Sequence, residues 1–124
     1  MKFYNHHHTI KGAAEFGGYK FVDRKPDTAI VKVNEGLTEE YKVLDTIEFT
    51  SARKRMSTVV RFPDGKLKLL IKGADMMIID RLGKEQKHIK HLDITQHHLD
   101  DFARSGLRTL CLAYKVTIKE RLPW

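Results

Sequence analysis

The stretch that most constrains the fold is residues 56–72, which predicts two strands joined by a tight turn. Met56–Arg61 and Lys66–Lys72 are rich in Val, Leu and Ile, side chains that suit a partly buried sheet. The turn Phe62–Gly65 has the sequence Phe-Pro-Asp-Gly, in which proline fixes one φ angle and the Asp-Gly pair supplies turn geometry. Because a hairpin joins antiparallel neighbours, an antiparallel strand pair is predicted here.

Three further strands are predicted upstream of this hairpin. Tyr19–Arg24 and Thr28–Val33 have strand-like sequences separated by the turn Lys25–Asp27, and Asn34–Gly36 closes the second. Tyr41–Phe49 alternates over a longer run. Its predicted face carries Val43, Asp45, Ile47 and Phe49, with Phe49 at the end of the strand, where a ring can leave the core and face a cleft.

Helical spacing predicts helices over Ile10–Phe16, Ala74–Leu82 and Thr95–Ser105, each followed by glycine. Gly106 stands where a helix C-cap glycine is expected. In each helix, apolar or small residues three or four positions apart predict one inward face. The residues assigned to these faces are Ile10, Ala13 and Ala14; Ala74, Met77, Ile78 and Leu82; and Leu99, Phe102 and Ala103.

Two segments remain before the C-terminus. Lys84–His91 is polar and is predicted to be a surface loop. Leu107–Val116 is apolar at nearly every position, which predicts a central strand buried on both faces, with Arg108 at its start and Cys111 packed as a small hydrophobic residue. Together these elements predict an α+β fold, an antiparallel sheet with helices packed on it.

Size and charge limit the functional classes. The 124 residues suit one domain, and 23 Lys plus Arg against 16 Asp plus Glu give a formal net charge of +7. This excess attracts polyanions, whether nucleotides, nucleic acids or anionic lipid surfaces. No run approaches the roughly 20 apolar residues of a membrane helix. A single cysteine cannot form an internal disulfide, which fits a reducing compartment.

The stretch Glu48–Ser57 joins an aromatic ring to a cluster of cations, because Phe49 precedes the basic run Arg53–Arg55. A purine can stack on such a ring while ammonium or guanidinium groups meet its phosphates. An exposed basic turn between two strands has the same composition, so the residues alone leave both interpretations open. Arg53 and Arg55 are predicted to serve solubility and the local field rather than specific contacts.

Four blocks resemble the nucleotide-binding domain of P-type ATPases, and their order and spacing are more specific than any one block. They are Phe49–Ser57, Pro63–Gly65, Lys72–Asp75 and Gly106–Leu110. The sequences Arg-Lys-Arg-Met-Ser, Lys-Gly-Ala-Asp and Gly-Leu-Arg-Thr-Leu-Cys-Leu-Ala-Tyr are most similar to the type IV, phospholipid-transporting branch. The domain is predicted to span residues 13–118 and to be truncated at its N-terminus. Residues 1–12, with the run His6–His8, are predicted to be a tag remnant or frayed start, and residues 119–124 a tail.

The resemblance implies an ATP site at six matching positions. Each position also has a plain structural interpretation, such as a strand-end core residue at Phe49 or a surface arginine at Arg108. The implied roles are adenine stacking by Phe49, a polar nucleotide contact by Ser51, the phosphate side by Lys54, the floor of the adenine pocket by Lys72, and phosphate contact by Arg108 with Thr109 beside it.

Three features depart from the family pattern. Ala52 stands where the family has Asp, and the acidic Pro-Asp-Glu segment expected upstream is absent, so Glu15 is not given its role. The chain also contains neither the Asp-Lys-Thr-Gly-Thr phosphorylation motif nor the Thr-Gly-Glu dephosphorylation motif. The resemblance therefore implies that the catalytic machinery and most Mg²⁺ ligands lie outside this chain.

The resemblance further implies a monomeric, cytosolic domain of an integral membrane pump, which works with ATP and with the phosphorylation and actuator domains of that pump. Two alternatives remain open: a small basic nucleic-acid-binding domain, and the corresponding domain of a cation-transporting P-type ATPase. Four histidines lie near one another in sequence but lack the ligand spacing of a metal site. They are His88, His91, His97 and His98.

Overall fold

The structure, a computed structural model, describes residues 4–87 and 90–117, with side chains described for residues 10–85 and 91–116. Within these ranges the chain forms four helices and six strands. In chain order they are α1 (Tyr4–Gly17), β1 (Tyr19–Arg24), β2 (Thr28–Val33), β3 (Leu37–Ile47), β4 (Arg55–Arg61), β5 (Leu67–Gly73), α2 (Asp75–Ile79), α3 (Lys84–Lys87), α4 (Lys90–Arg104) and β6 (Cys111–Thr117).

The six strands form one antiparallel sheet in the order β1-β2-β3-β4-β5-β6, which confirms the predicted α+β fold. The chain divides into two compact units. Within the described residues, the first unit comprises residues 4–45, 59–68 and 116–117, and the second unit comprises residues 46–58, 69–87 and 90–115. All six residues predicted for the nucleotide site belong to the second unit.

The first unit is built on two antiparallel pairings. β1 pairs with β2 from Tyr19 opposite Val33 to Arg24 opposite Ala29, with one register shift between Phe21 and Asp23. β2 then pairs with β3 from Thr28 opposite Lys42 to Val33 opposite Leu37. The predicted turn between β2 and β3 is confirmed, because Asn34 and Glu35 both adopt left-handed backbone, with φ of 47° and 60°, as tight hairpin turns require.

The predicted hairpin of residues 56–72 is also confirmed. The Phe62 N–H donates to the Lys66 carbonyl at 2.9 Å, and the Gly65 N–H donates to the Phe62 carbonyl at 2.9 Å. Gly65 adopts a φ of 81°, which glycine reaches without the steric cost a side chain imposes.

The ring of Phe62 is packed on more than one side within the first unit. The Tyr41 ring meets it edge to face, with centroids 5.0 Å apart and planes at 88°. The Lys68 ammonium lies 4.0 Å from the centroid of the same ring, a cation–π arrangement. The Tyr41 hydroxyl donates to the Glu39 carboxylate. Burial and this carboxylate raise the pKa of Tyr41 to about 12.

In the second unit the helix predicted over Ala74–Leu82 is shorter, because α2 spans only Asp75–Ile79, but the residues of its predicted inward face are all covered. Ile78 is buried, with 3% of its surface exposed, and Ala74, Met77 and Leu82 are half-buried. Helix α4 ends in a Schellman motif: the Gly106 N–H donates to the Ala103 carbonyl, and the Leu107 N–H donates to the Phe102 carbonyl. Gly106 has a φ of 75°, so the predicted C-cap glycine is confirmed.

The predictions for residues 84–116 need the most correction. Lys84–His91 is not a loop throughout, because α3 spans Lys84–Lys87 and α4 begins at Lys90, ahead of the predicted Thr95; residues 88 and 89 lie outside the described residues. Lys, Glu and Gln are good helix formers, but a polar run without apolar residues at helical spacing was interpreted as a loop. The predicted inward face of α4 is wrong for Phe102 and Ala103, which are exposed.

The predicted burial of the last strand is wrong as well. β6 begins at Cys111 rather than Leu107 and lies at the end of the strand order. Leu112 and Tyr114 are 71% and 69% exposed, whereas Ala113 between them is half-buried. An apolar run cannot distinguish a strand buried on both faces from an edge strand with one apolar face in water.

The predicted helix near the N-terminus is confirmed, but α1 begins earlier, at Tyr4. Its predicted inward face holds only for Ala14, which is half-buried, because Ala13 is exposed and Ile10 is 52% exposed. The spacing was right for a helix, but within the described residues little covers that side.

Candidate functional site

The connection between β3 and β4, residues 48–54, carries the aromatic ring predicted to stack on adenine. β3 ends at Ile47, so Phe49 lies beyond the strand rather than at its end, and the prediction that it continues the face of Val43 is wrong. Phe49 is 50% exposed. Among the described residues, neither another ring nor a cation is stacked on it. The ring is therefore open to a flat ligand.

Arg53 makes specific contacts, contrary to the prediction that it serves solubility and the local field rather than specific contacts. Its Nη1 donates to the carbonyls of Ile47, Glu48 and Arg55, at 3.2, 2.9 and 3.3 Å. Its Nη2 donates to the Ser57 hydroxyl at 3.3 Å. The guanidinium thus links the end of β3 to the start of β4 through its fixed fork of donors.

Lys54 is the last residue of this connection and adopts a left-handed φ of 52°. Its N–H donates to the Thr50 carbonyl at 2.8 Å, and its carbonyl accepts the Ala74 N–H at 3.1 Å. A Cβ placed on Gly73 would lie 2.5 Å from the Lys54 carbonyl oxygen, so only glycine fits there. The backbone of the Lys54 turn therefore contacts the end of β5, next to Lys72, while the Lys54 residue is exposed.

Lys72 is half-buried near the end of β5. Partial burial lowers the pKa of Lys72, and the Glu48 carboxylate opposes this by favouring the charged form. Glu48 directly precedes Phe49, so Lys72 lies within electrostatic reach of the segment that carries the open ring. These interactions connect the segments that carry Phe49, Lys54 and Lys72, through Glu48 on one side and the Lys54 backbone on the other.

The other predicted residues lie on turns and loops of the second unit. Ser51 is exposed in the turn after Phe49, and Arg108 is exposed in the loop before β6, with Thr109 half-buried beside it. Within the described residues, no hydrogen bond or ion pair joins Arg108 to the Phe49 segment. Its phosphate role, like those of Ser51 and Thr109, stays a prediction.

The loop before β6 nevertheless ends close to the Lys72–Asp75 block. The pKa of the Cys111 thiol is raised first by burial and then by the Asp75 carboxylate. Cys111 is half-buried, in line with its predicted role as a packed residue. The hydrogen bond between Ala74 and Lys54 joins two of the four resembling blocks, and Cys111, the residue after a third block, lies within electrostatic reach of Asp75.

Cations crowd one another at the start of β4. The pKa of Arg55 is lowered by partial removal from water and then by the neighbouring charges of Arg81 and Arg53. Arg55 also donates to the Arg53 carbonyl at 2.9 Å, so it too makes a specific contact that was not predicted. A bound anion would relieve this repulsion.

A hollow of about 410 Å³ lies between α2 and α4, and none of the six residues predicted for the nucleotide site lines it. Three carboxylates line it, from Asp75, Asp93 and Asp100. Carboxylates repel phosphates, so this hollow does not suit a nucleotide. Among the described residues, no group of three or more His, Cys, Asp or Glu side chains is arranged to hold a metal ion. No described helix combines the length and the apolar character needed to span a bilayer.

A family profile described as "P-type ATPase, cytoplasmic domain N" matches residues 5–122. The chain belongs to this family. The chain is also 48% identical over 107 residues to the phospholipid-transporting ATPase DRS2 of Saccharomyces cerevisiae, an alignment that covers 86% of this chain and 8% of that protein.

Two further relatives carry similar names. The chain is 41% identical over 116 residues to the phospholipid-transporting ATPase dnf2 of Schizosaccharomyces pombe, covering 93% of this chain and 8% of the relative. It is 42% identical over 109 residues to the probable phospholipid-transporting ATPase 7 of Arabidopsis thaliana, covering 86% and 8%. The predicted family is thus confirmed, and so is the predicted similarity to its phospholipid-transporting branch. The chain spans about 8% of the length of these relatives.

Within the P-type ATPase N domain, the residue that sequence reasoning missed is Arg53. Its signal was present, because an arginine inside a short strand-to-strand connection has several backbone carbonyls within reach. It was overlooked because Arg53 is part of a basic run, and such runs are typical of solvated surfaces.

Proposed function

We propose that this N domain binds ATP, with adenine stacked on Phe49 and the phosphates toward the cations of the second unit. The half-exposed ring of Phe49 is the observation that carries the proposal. A phenyl ring in water beside a basic turn has apolar surface that a purine can cover. Base stacking on an aromatic side chain stabilises binding by about 1–3 kcal/mol.

The cations near this ring suit a polyphosphate. Lys72, at the floor of the adenine pocket, would interact with the net negative charge of the whole ligand, and its partial burial makes that attraction stronger than it would be for a fully hydrated lysine. Lys54 is held next to the end of β5, because its carbonyl accepts the Ala74 N–H. We assign the phosphate side to Lys54 and Arg108, with Ser51 and Thr109 as polar contacts and Lys72 as the floor of the adenine pocket.

In this proposal the domain supplies positioning and charge neutralisation, as in other phosphoryl-transfer proteins. The chain would belong to a phospholipid-transporting P-type ATPase and would be its cytosolic nucleotide-binding domain, over residues 13–118. It would present the γ-phosphate to an aspartate on a separate phosphorylation domain, next to an actuator domain. Mg²⁺ would accompany ATP, with ligands mainly from those domains and from the nucleotide.

ATP titration followed by NMR of the isotope-labelled 124-residue chain tests the proposal. We expect weak binding, near the millimolar range or about −4 kcal/mol, with shifts concentrated at Phe49, Lys72 and Arg108. Phe49→Ala should weaken binding roughly 5- to 150-fold, the equivalent of about 1–3 kcal/mol. Phe102→Ala is the matched control, because Phe102 is 47% exposed and lies in the same unit.

Two outcomes would overturn the proposal. One is a set of shifts scattered over the basic surface, and the other is an equal loss of affinity from Phe49→Ala and Phe102→Ala. Salt separates the remaining alternative, because nucleic-acid binding through the backbone falls steeply with ionic strength and ignores base identity. Adenine stacking should prefer ATP to other nucleoside triphosphates and should lose less affinity in salt.

A further inference from the structure

The guanidinium of Arg53 occupies the inside of the connection that carries Phe49. Arg53 is half-buried, and three backbone carbonyls and one hydroxyl accept from it at 2.9–3.3 Å. Its own N–H donates to the Thr50 hydroxyl at 3.1 Å. Arg53 is therefore bonded to the residue after Phe49 and, through Nη1, to the two residues before it.

The acceptors lie on both sides of the connection. The carbonyls of Ile47 and Glu48 immediately precede Phe49, so their positions set where the Phe49 backbone begins. On the other side, Ser57 belongs to β4 and is only 6% exposed, which makes it a fixed anchor. By bonding to both sides, the guanidinium fixes the backbone that precedes Phe49 relative to β4.

We infer that Arg53 is a positioning residue for adenine: it acts through Phe49 and contributes to the preference for the base rather than for the phosphates. This inference rests on the proposed ATP-binding function. The planar guanidinium offers five donors in a fixed fork, whereas a lysine ammonium offers three on a compact head. Lysine at position 53 keeps the charge but cannot reproduce contacts to four acceptors on two segments.

Arg53→Lys in the 124-residue chain, titrated with ATP and separately with inorganic tripolyphosphate, tests the inference. ATP affinity should fall by roughly five- to tenfold, a part of the stacking contribution. Tripolyphosphate affinity should not change, because that ligand has no base. In a Phe49→Ala background, Arg53→Lys should cause no further loss of ATP affinity. Without ligand, the ring signals of Phe49 should shift in the NMR spectrum.

Arg104→Lys is the matched control. Arg104 lies in the second unit and its side chain is exposed, with an ion pair to Asp101 at 3.6 Å. This change should alter neither ATP nor tripolyphosphate binding. If Arg53→Lys keeps the wild-type affinity for ATP, or loses both ligands equally, Arg53 acts through charge or general stability and the inference is overturned.

Two further measurements keep the test decisive. If Arg53→Lys does not fold, Ser57→Ala removes one acceptor and should reduce the preference for ATP over tripolyphosphate in the same direction but by less; an unchanged preference would contradict the inference. If the wild-type chain does not bind ATP at all, the proposed function fails. The ring signals of Phe49 in the ligand-free Arg53→Lys variant then still report whether Arg53 positions Phe49. Unchanged signals would refute that role.

Discussion

Phe49 and Phe62 are the same residue in similar sequence surroundings, yet the structure treats their rings in opposite ways. Each lies beyond the end of a strand, and each has lysine or arginine within a few positions. Phe62 is half-buried, with Tyr41 at its edge and Lys68 over its ring. Phe49 is half-exposed, and its nearest arginine turns away to bond the backbone. An aromatic beside cations is therefore structural when its ring is already covered and a binding candidate when it is open.

The largest expected effect concerns the contact between the Lys54 turn and the end of β5. Gly73→Ala should lower the free energy of unfolding by about 3 kcal/mol, at the upper end for overpacking, because its Cβ would meet the Lys54 carbonyl oxygen at 2.5 Å. Chemical denaturation measures this loss. Gly83→Ala is the control, because nothing lies within 4 Å of a Cβ at that position. A Gly73→Ala variant as stable as Gly83→Ala would show that the Lys54 turn does not rest on β5.

The covered ring should matter for stability and not for binding. Phe62→Ala should lower the free energy of unfolding by about 2 kcal/mol, less than a fully buried phenylalanine would, because the ring is only half-buried. ATP affinity should be unchanged. Phe16→Ala, at a residue 91% exposed, should change stability by less than about 0.5 kcal/mol. The contrast between the two rings breaks down if Phe62→Ala weakens ATP binding as much as Phe49→Ala does.

The pH dependence of ATP binding sharpens the contrast through Lys72. Burial lowers the pKa of Lys72, and a bound anion favours its protonated form. ATP affinity should therefore be highest below the pKa of Lys72 in the ligand-free domain and should decline as pH rises through that pKa. The decline should start below about pH 10.4, the pKa of an ordinary lysine. Lys72→Arg should remove this decline, because arginine stays charged. ATP titrations across alkaline pH would contradict the assignment if Lys72→Arg and the control Lys66→Arg gave the same profile as wild type.

The smallest expected effect concerns the tyrosine that covers Phe62. The pKa of Tyr41 is raised to about 12, against about 10 for an ordinary tyrosine. The protonated hydroxyl of Tyr41 should thus contribute fully to folding stability below about pH 10, and this contribution should be lost as pH rises toward 12. Phenolate absorbance should show one late-titrating tyrosine that disappears in Tyr41→Phe and remains in Tyr19→Phe. A late component that persists in Tyr41→Phe would mean that another residue was responsible.

Most of the fold could be predicted because its signals are local. Turn residues at Asn34–Gly36 and Phe62–Gly65 and the glycine after α4 each fix a boundary through backbone geometry. Burial was predicted less well, because it depends on what lies across from a residue. The apolar run at Cys111–Thr117 gave no sign that its strand lies at the end of the sheet order.

The candidate site shows the same limit. The sequence could place Phe49, Lys54 and Lys72 near one another only through the family resemblance, since the contacts between the turn and β5 are not local. It could not distinguish Phe49 from Phe62, because exposure of a ring is a property of its partners. It assigned Arg53 to the solvent, although the acceptors of its guanidinium lie within six positions along the chain.

The left-handed backbone of Lys54 has an evolutionary consequence. A residue with a side chain bears a cost of about 1–2 kcal/mol in this conformation, which glycine would avoid. Selection for thermal tolerance alone would therefore favour Lys54→Gly, whereas the phosphate contact proposed for Lys54 would favour the lysine. Libraries of variants screened for heat resistance should accumulate glycine at this position and lose ATP affinity. At this one turn, higher stability would therefore come at the cost of ligand binding.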